Sequence, residues 1–300
     1  MIRIGSRGSD LALWQARYVR THLDGESEII VIKTKGDQIQ HLTLDKVEGK
    51  GFFTKEIESA LLGKDVDLAI HSYKDLPTEP VPGLAITSVP VRAPVRDALV
   101  VRADRTDAER PLGIREGATV GTSSLRRKAA IKSLRPDLQL VDIRGNVPTR
   151  MGKAQSGELD AVVLAEAGLR RLELYESDDT LRFLPIDVKH VCPAPAQGAL
   201  AVQIREGDER VADAARAMHH DHTAQSVDLE RDLLARFGGG CHLPLGAFAT
   251  LEANAFELIA LVAAPDGSER LSAEAKGTDR SEVLETVYDS LMSQGAERYL

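Results

Sequence analysis

Cysteine is scarce: Cys192 and Cys241 are the only two in 300 residues, and they lie far apart. Two thiols make no disulfide framework, and without a CxxC pair they suggest no zinc site. A compartment that keeps thiols reduced, the cytoplasm, is the expected location. Aromatic residues make up 4% of the chain, which argues against a stacking platform for single-stranded nucleic acid. Positive charge is in the minority, with 38 Lys and Arg against 46 Asp and Glu. A general nucleic-acid binder leans the other way, so no nucleic-acid partner is expected. Long apolar runs are also missing. The stretch from Leu258 to Ala264 is far too short to span a bilayer. Met1-Ile2-Arg3-Ile4-Gly5 lacks the apolar core of a signal peptide, and no membrane partner is expected. Walker A, GxGxxG, GxSxG and HExxH patterns do not occur. His219, His220 and His222 have no carboxylate or Cys at ligand spacing, so no metal is expected.

What is present is an alternation of strand and helix, in a chain long enough for two or three domains. Ile2-Arg3-Ile4 reads as a strand, and Ser9 as the N-cap of a helix with Leu11, Trp14 and Tyr18 on one face. Strands follow at Ile29 to Ile32, Asp67 to Ile70, Leu84 to Val89, Leu99 to Val101, Leu138 to Ile143 and Ala161 to Leu164. Thr54 reads as the cap of a helix from Lys55 to Leu62, and Ser124 to Leu134 reads as another, stopped by Pro136. Such alternation implies an α/β fold with mostly parallel sheets. Beyond Phe237 the pattern changes. Strands at Leu245 to Leu251 and Phe256 to Ala263, the turn Pro265-Asp266-Gly267-Ser268, a strand near Arg270 to Ala275 and a last helix from Ser281 to Glu297 describe a small α+β domain with an antiparallel sheet. Two Pro-rich linkers, Pro90 to Pro94 and Pro193 to Gly198, suggest that the chain leaves the first unit and returns to it in a strand from Ala199 to Ile204. A cleft between the two units would follow.

Arginine placement carries the first chemical signal. Arg7, Arg126, Arg127, Arg144, Arg150, Arg170 and Arg171 all follow strands. In open α/β sheets, ligands sit outside the carboxyl ends of the strands, so these side chains are expected to converge. The planar guanidinium fork suits carboxylates. Helix starts near Ser9 and at Thr122-Ser123-Ser124 add backbone donors for anions. Asp75, in His71-Ser72-Tyr73-Lys74-Asp75, follows a strand at the same edge; it reads either as a carboxylate in that crevice or as a turn cap before Pro77. The long loop from Lys35 to Phe53 reads as a lid or as an ordinary surface loop. Cys241, after Gly238-Gly239-Gly240, reads as an exposed nucleophile or as a small residue in a tight turn. Cys192 reads as a buried thiol without a chemical role.

Together these stretches resemble the hydroxymethylbilane synthase, or porphobilinogen deaminase, family. The matching segments are Arg7-Gly8-Ser9, Leu11-Ala12-Leu13-Trp14-Gln15, Gly49-Lys50-Gly51-Phe52-Phe53-Thr54-Lys55-Glu56 and His71 to Asp75. Gly121 to Arg127, Arg144-Gly145-Asn146-Val147-Pro148-Thr149-Arg150, Ala167 to Leu172, Gln197-Gly198 and Gly239-Gly240-Cys241 follow in order. The resemblance implies two periplasmic-binding-protein-like domains and a third that carries the cysteine. Their expected extents are 1–92 with 193–212, 97–188, and 216–300. It implies a dipyrromethane cofactor joined by a thioether to Cys241. It also implies a cytoplasmic transferase of porphyrin and haem biosynthesis, acting as a monomer, that polymerises four porphobilinogens head to tail with loss of ammonia. Asp75 then stabilises developing positive charge at the pyrrole. Arg7, Ser9, Gln15, Lys74, Thr122, Ser123, Ser124, Arg126, Arg127, Arg144, Gly145, Asn146, Arg150, Arg171 and Gln197 then bind cofactor or substrate, and Lys50, Phe52 and Lys55 belong to the lid. Three departures stand out: Tyr73 where Met is frequent, Glu48 where Gly is common, and His242 after the cysteine. Two rival classes remain, a non-catalytic anion-binding module and a transcription-factor effector domain, although no helix-turn-helix is evident.

Overall fold

The computed structural model describes residues 1–34, 54–239 and 243–299. Cys241, His242, Glu48 and the lid residues Lys50 and Phe52 lie outside the described residues.

Strand β1 (Ile2–Ser6) buries Ile2 and Ile4 and leaves Arg3 half-exposed. Helix α1 (Asp10–His22) begins at Ser9, whose hydroxyl accepts from the Ala12 N–H at 3.4 Å. Asp10 in its first turn and Arg20 and His22 in its last turn suit the helix dipole. With β2 (Ser27–Val31), β3 (Leu68–Ser72), β4 (Leu84–Ser88) and β10 (Leu200–Arg205), β1 forms a sheet of order β2-β1-β3-β10-β4. Helices α2 (Lys55–Leu62) and α6 (Glu209–Ala215) also pack in this unit. The second sheet has order β7-β6-β8-β5-β9, from β5 (Asp97–Arg102), β6 (Thr119–Gly121), β7 (Gln139–Val141), β8 (Ala161–Ala165) and β9 (Leu181–Pro185). Its helices are α3 (Leu125–Leu134), α4 (Val147–Gln155) and α5 (Glu166–Arg171).

In each sheet four strands run one way and one runs against them. The reversed strands are β10 and β5, and each is where the chain arrives from the other sheet. The expected two crossings are therefore observed, and the strand after Gly198 does return to the first sheet. Leu68, Val202, Leu99 and Val163 are fully buried between the layers, each stabilising the fold by about 1.5–3 kcal/mol relative to exposure. In the third unit, β11 (Leu245–Glu252), β12 (Ala255–Ala263) and β13 (Arg270–Gly277) form an antiparallel sheet. Helices α7 (Asp221–Arg236) and α8 (Arg280–Ser293) cover it through Leu229, Leu233, Val287 and Leu291.

Four local expectations change. Strand β9 has no clear pattern in the sequence because Arg182 is exposed and only Leu181 and Phe183 are buried. Strand β7 is shorter than expected because the Ser123 hydroxyl takes over both backbone groups of Ile143. The last helix ends at Ser293, where Gly295 turns to φ +89 and a 3-10 turn, Ala296–Tyr299, follows. Thr54 precedes α2, but its hydroxyl makes no capping bond and donates to Glu58 instead, at 3.3 Å.

The two crossings lie side by side. The Ala93 N–H donates to the Gly198 carbonyl at 3.2 Å. Gly198 has φ +86, and a Cβ there would sit 2.6 Å from the Ala93 oxygen, so only glycine fits. Glu230 of α7 is fully buried beside them. Its carboxylate accepts from both terminal nitrogens of Arg92, at 2.7 and 2.8 Å. It also accepts from the Ala196 N–H at 2.7 Å and the Ala249 N–H at 2.8 Å. One carboxylate thus ties both crossings to the third sheet.

Candidate active site

In the first sheet β1 and β3 run parallel, in the second β6, β7 and β8 do, and the loops after their carboxyl ends carry the candidate residues. Three helices begin at these loops. Ser9 caps α1, the Ser124 hydroxyl accepts from the Arg127 N–H at 3.4 Å, and the Asn146 Oδ1 accepts from the Thr149 N–H at 3.0 Å. Each start presents unpaired backbone N–H groups, which favour anions. Gly145 just before α4 has φ +105, and a Cβ there would meet Thr149 at 2.6 Å.

The first unit contributes Arg7, Gln15, Lys74 and Asp75. Arg7 is half-buried after β1 and acts electrostatically on buried His71, whose pKa burial lowers to about 4. Gln15 is buried on α1, and its amide donates to the Ser72 hydroxyl at 2.8 Å. This bond joins α1 to the 3-10 turn Tyr73–Asp75. Asp75 is exposed on that turn, beside Lys74. The Lys74 ammonium donates to the Gln197 Oε1 at 3.3 Å. Burial lowers its pKa to about 8; Arg127 and Arg126 push the same way, and Asp75 and Asp97 oppose them.

Gln197 sits on the second crossing and connects the two units. Its amide nitrogen donates to the Val95 carbonyl and to the Asp97 carboxylate, both at 2.8 Å. Asp97 is fully buried at the start of β5. Arg127 donates to it at 2.7 Å and Arg126 at 2.9 Å. The other terminal nitrogens of these arginines bind main-chain carbonyls, Arg126 on Cys192 at 2.5 Å and Arg127 on Val163 at 3.0 Å. Burial alone pushes the Asp97 carboxyl up, but Arg126, Arg127 and Gln197 outweigh it and hold the group well below the usual carboxylate range.

Positive charge exceeds what Asp97 can balance. Arg150 lies beyond Arg127 and donates from Nε to the Gly145 carbonyl at 2.7 Å. Burial lowers its pKa to about 10, and Arg127 and Arg144 add to the effect. Arg171 donates to the Gly198 carbonyl at 2.7 Å, stacks on Trp14 of α1 at 5.5 Å, and is lowered to about 10 by burial. The buried Nε of Arg127 has no hydrogen-bond partner among the described residues. Crowded cations that depress one another, with an orphaned guanidinium N–H, fit a ligand bearing several carboxylates.

The structure brings most of these residues together, but some make other contacts. The Ser123 hydroxyl is occupied with Ile143, and the Thr122 hydroxyl accepts from the Ser124 N–H at 3.3 Å. Arg170 turns away to Glu166 at 2.7 Å and lies over Tyr175. Lys55 is exposed at the start of α2. The His219 ring accepts from the Val89 N–H at 3.1 Å, His220 caps α7, and His222 contacts the Leu251 carbonyl at 3.2 Å. Among the described residues no group of His, Cys, Asp or Glu is arranged to hold a metal, and no helix is long and apolar enough to cross a membrane. Asp97 was missed. Its signal was available: an acid heads the otherwise apolar run Ala98-Leu99-Val100-Val101.

Asp97→Asn leaves two buried guanidiniums without a counter-charge and is expected to destabilise the protein by about 3–5 kcal/mol. Urea unfolding at neutral pH measures this. The folded carboxyl lies below its unfolded value. Its stabilising contribution is therefore full above about pH 4 and is lost as pH falls further. The destabilisation by Asp97→Asn should shrink over that acid range.

Residues 2–213 match the family model described as porphobilinogen deaminase, dipyromethane cofactor binding domain. Residues 224–289 match porphobilinogen deaminase, C-terminal domain. The porphobilinogen deaminase of Syntrophotalea carbinolica is 43% identical, with 100% of this chain and 95% of that protein covered. That of Moorella thermoacetica is 45% identical, covering 93% of this chain and 88% of the relative. Among solved structures, the periplasmic VFT2 domain of Bordetella pertussis BvgS matches with TM-score 0.42 at 16% identity, covering 78% of this chain and 92% of that domain. The L-arginine-bound substrate-binding protein AbpA of Streptococcus pneumoniae matches with TM-score 0.37 at 14% identity, covering 79% and 90%. With both family models matched in order and relatives above 40% identity along its whole length, this chain belongs to the porphobilinogen deaminase family.

Proposed function

We propose that the arginine-lined crevice is the active site at which this chain, as a hydroxymethylbilane synthase, joins four porphobilinogens head to tail and releases the linear tetrapyrrole. The observation that supports this most directly is the cationic cluster of Lys74, Arg126 and Arg127 around the buried carboxylate of Asp97, extended by Arg150 and Arg144. Each substrate pyrrole carries an acetate and a propionate, so the growing chain gains negative charge at every step. The depressed pKa values of Lys74 and Arg150 are relieved when carboxylates arrive.

In this reading Arg7, Ser9, Gln15, Lys74, Thr122, Ser123, Ser124, Arg126, Arg127, Arg144, Gly145, Asn146, Arg150, Arg171 and Gln197 form or shape the walls that hold these carboxylates. Arg126 and Ser123 act chiefly by orienting neighbours, since their polar atoms already hold main-chain groups. Lys50, Phe52 and Lys55 are assigned to the lid on the family resemblance alone. Asp75, exposed beside Lys74, accepts pyrrole N–H groups and stabilises the positive charge left on a substrate that has lost ammonia. The dipyrromethane on Cys241 supplies the pyrrole carbon that the growing chain extends. The domains extend over 1–92 with 193–212, 97–188, and 216–300. The protein acts as a monomer in the cytoplasm, and its net charge of −8 speaks against a nucleic-acid partner.

Intact mass of the denatured, active protein tests this reading. The expected mass exceeds that of the chain by two linked pyrrole units, and the same sample should colour with a pyrrole-specific reagent. An unmodified mass in a fully active preparation overturns it.

A further inference from the structure

We propose that Arg231, on α7 of the third unit, is a positioning residue that holds the Asp75 turn in its working geometry. The inference rests on the reading that Asp75 stabilises positive charge in the crevice. Arg231 donates from Nη1 to the Tyr73 carbonyl at 3.2 Å and to the Leu76 carbonyl at 3.0 Å. Its Nη2 donates to the Pro77 carbonyl at 2.7 Å. These three carbonyls bracket Asp75 on both sides. Within the turn itself the Leu76 N–H reaches the Tyr73 carbonyl at only 3.3 Å. A short 3-10 turn has weak internal hydrogen bonding, so an outside donor decides its shape.

The same guanidinium lies over the Tyr73 ring at 4.4 Å, and the Tyr73 hydroxyl donates to Asp228 of α7 at 3.5 Å. Tyr73 is one of this chain's departures from the family pattern, and here its ring is a buried face for Arg231. Behind the turn lies a cavity of about 270 Å³, lined by Tyr73, Leu76, Pro77, Asp228 and Arg231 among others. Without Arg231 the Leu76 and Pro77 carbonyls would lose this donor and the Tyr73 carbonyl would keep only the weak bond from Leu76, leaving the turn free to rotate Asp75 away from the crevice.

Helix α7 is followed by Gly238 and Gly239, the last residues described before Cys241 in the sequence. Gly239, with φ +54, approaches Thr78 so closely that a Cβ there would sit 2.1 Å from the threonine hydroxyl. Arg231 and Gly239 therefore touch the same segment, just before and after the turn's end. Glu230, the neighbouring residue, locks this part of α7 onto both crossings. One helix thus holds the segment that follows Asp75 through Arg231 and keeps Gly239 beside it.

The test is a kinetic cycle with Arg231→Ala, Arg231→Lys, Asp75→Ala and the double variant Asp75→Ala/Arg231→Ala, each confirmed by intact mass to carry the cofactor. Misplacement of a reacting group by about 1 Å costs on the order of 10²-fold. Arg231→Ala is therefore expected to lower kcat about 10²-fold with KM nearly unchanged. Arg231→Lys, which keeps a cation able to reach the carbonyls, is expected to recover part of that loss. In the Asp75→Ala background, removing Arg231 is expected to cost nothing further, because its effect passes through Asp75. A normal kcat for Arg231→Ala, or an equal loss in both backgrounds, overturns the proposal while leaving Asp75's role standing. A near-normal kcat for Asp75→Ala overturns both. Should Arg231→Ala fail to fold, Arg231→Gln, which removes the charge and keeps much of the side chain, replaces it in both backgrounds: a kcat equal to wild type overturns the proposal, and a loss that vanishes in the Asp75→Ala background supports it.

Discussion

Asp75→Ala is expected to lower kcat by about 10²–10³-fold, the range for removing one preorganised group that stabilises transition-state charge. The crevice explains the size of the effect. Lys74, Arg126, Arg127, Arg144 and Arg150 make the region strongly positive, and the Asp97 carboxylate is fully committed to Arg126, Arg127 and Gln197. A cationic species formed there meets repulsion from every wall. Asp75, exposed at the end of β3, is the acid placed to oppose it. Because carboxylate binding relies on the arginines, Asp75→Ala should retain the cofactor and change KM little. Steady-state kinetics with intact mass on the same sample checks this. A kcat within a few-fold of wild type would remove Asp75 from the reaction.

Cys241→Ser is expected to abolish both the adduct and turnover. The thiolate is the nucleophile in thioether formation, and a serine hydroxyl is far less reactive. A chain end that is not held covalently must be captured from solution at each addition. Loss of that tether forfeits effective molarity worth about 10⁵-fold or more. Cys192→Ser supplies the control. Cys192 is buried against the third sheet, its thiol reaches the Ile259 carbonyl at 3.7 Å, and burial pushes its pKa far up. Its replacement should leave the mass increment intact. An adduct that survives Cys241→Ser and disappears with Cys192→Ser would reverse the assignment.

Much of this protein is legible from its sequence. Apolar runs such as Leu99 to Val101 and Ala161 to Leu164 declare buried strands, and their alternation with helices implies two α/β sheets. Placing arginines after those strands requires only the rule that parallel strands present their carboxyl ends to one side. Helix caps at Ser9, Ser124 and Asn146 are local, so short-range patterns reveal them. Pro-rich linkers revealed the two crossings, because proline and glycine act on the backbone wherever they occur.

Other features depend on contacts between residues far apart in the chain. Asp97 binds Arg126, Arg127 and Gln197, and Glu230 binds Arg92, Ala196 and Ala249. Their sequence neighbours give no sign of these partners. Ser123 and Arg126 look like ligand contacts in one dimension; folding turns them toward Ile143 and Cys192. Arg231 looks like one more charge on a surface helix until the third unit packs α7 against the Asp75 turn. The sequence by itself determined the elements, their order and the edge at which charge collects, since these follow from backbone propensity and hydrophobic period. Only the tertiary structure decided which charges neutralise one another and which do not. That division depends on burial and on distances of a few ångströms, which the order of residues along the chain does not contain.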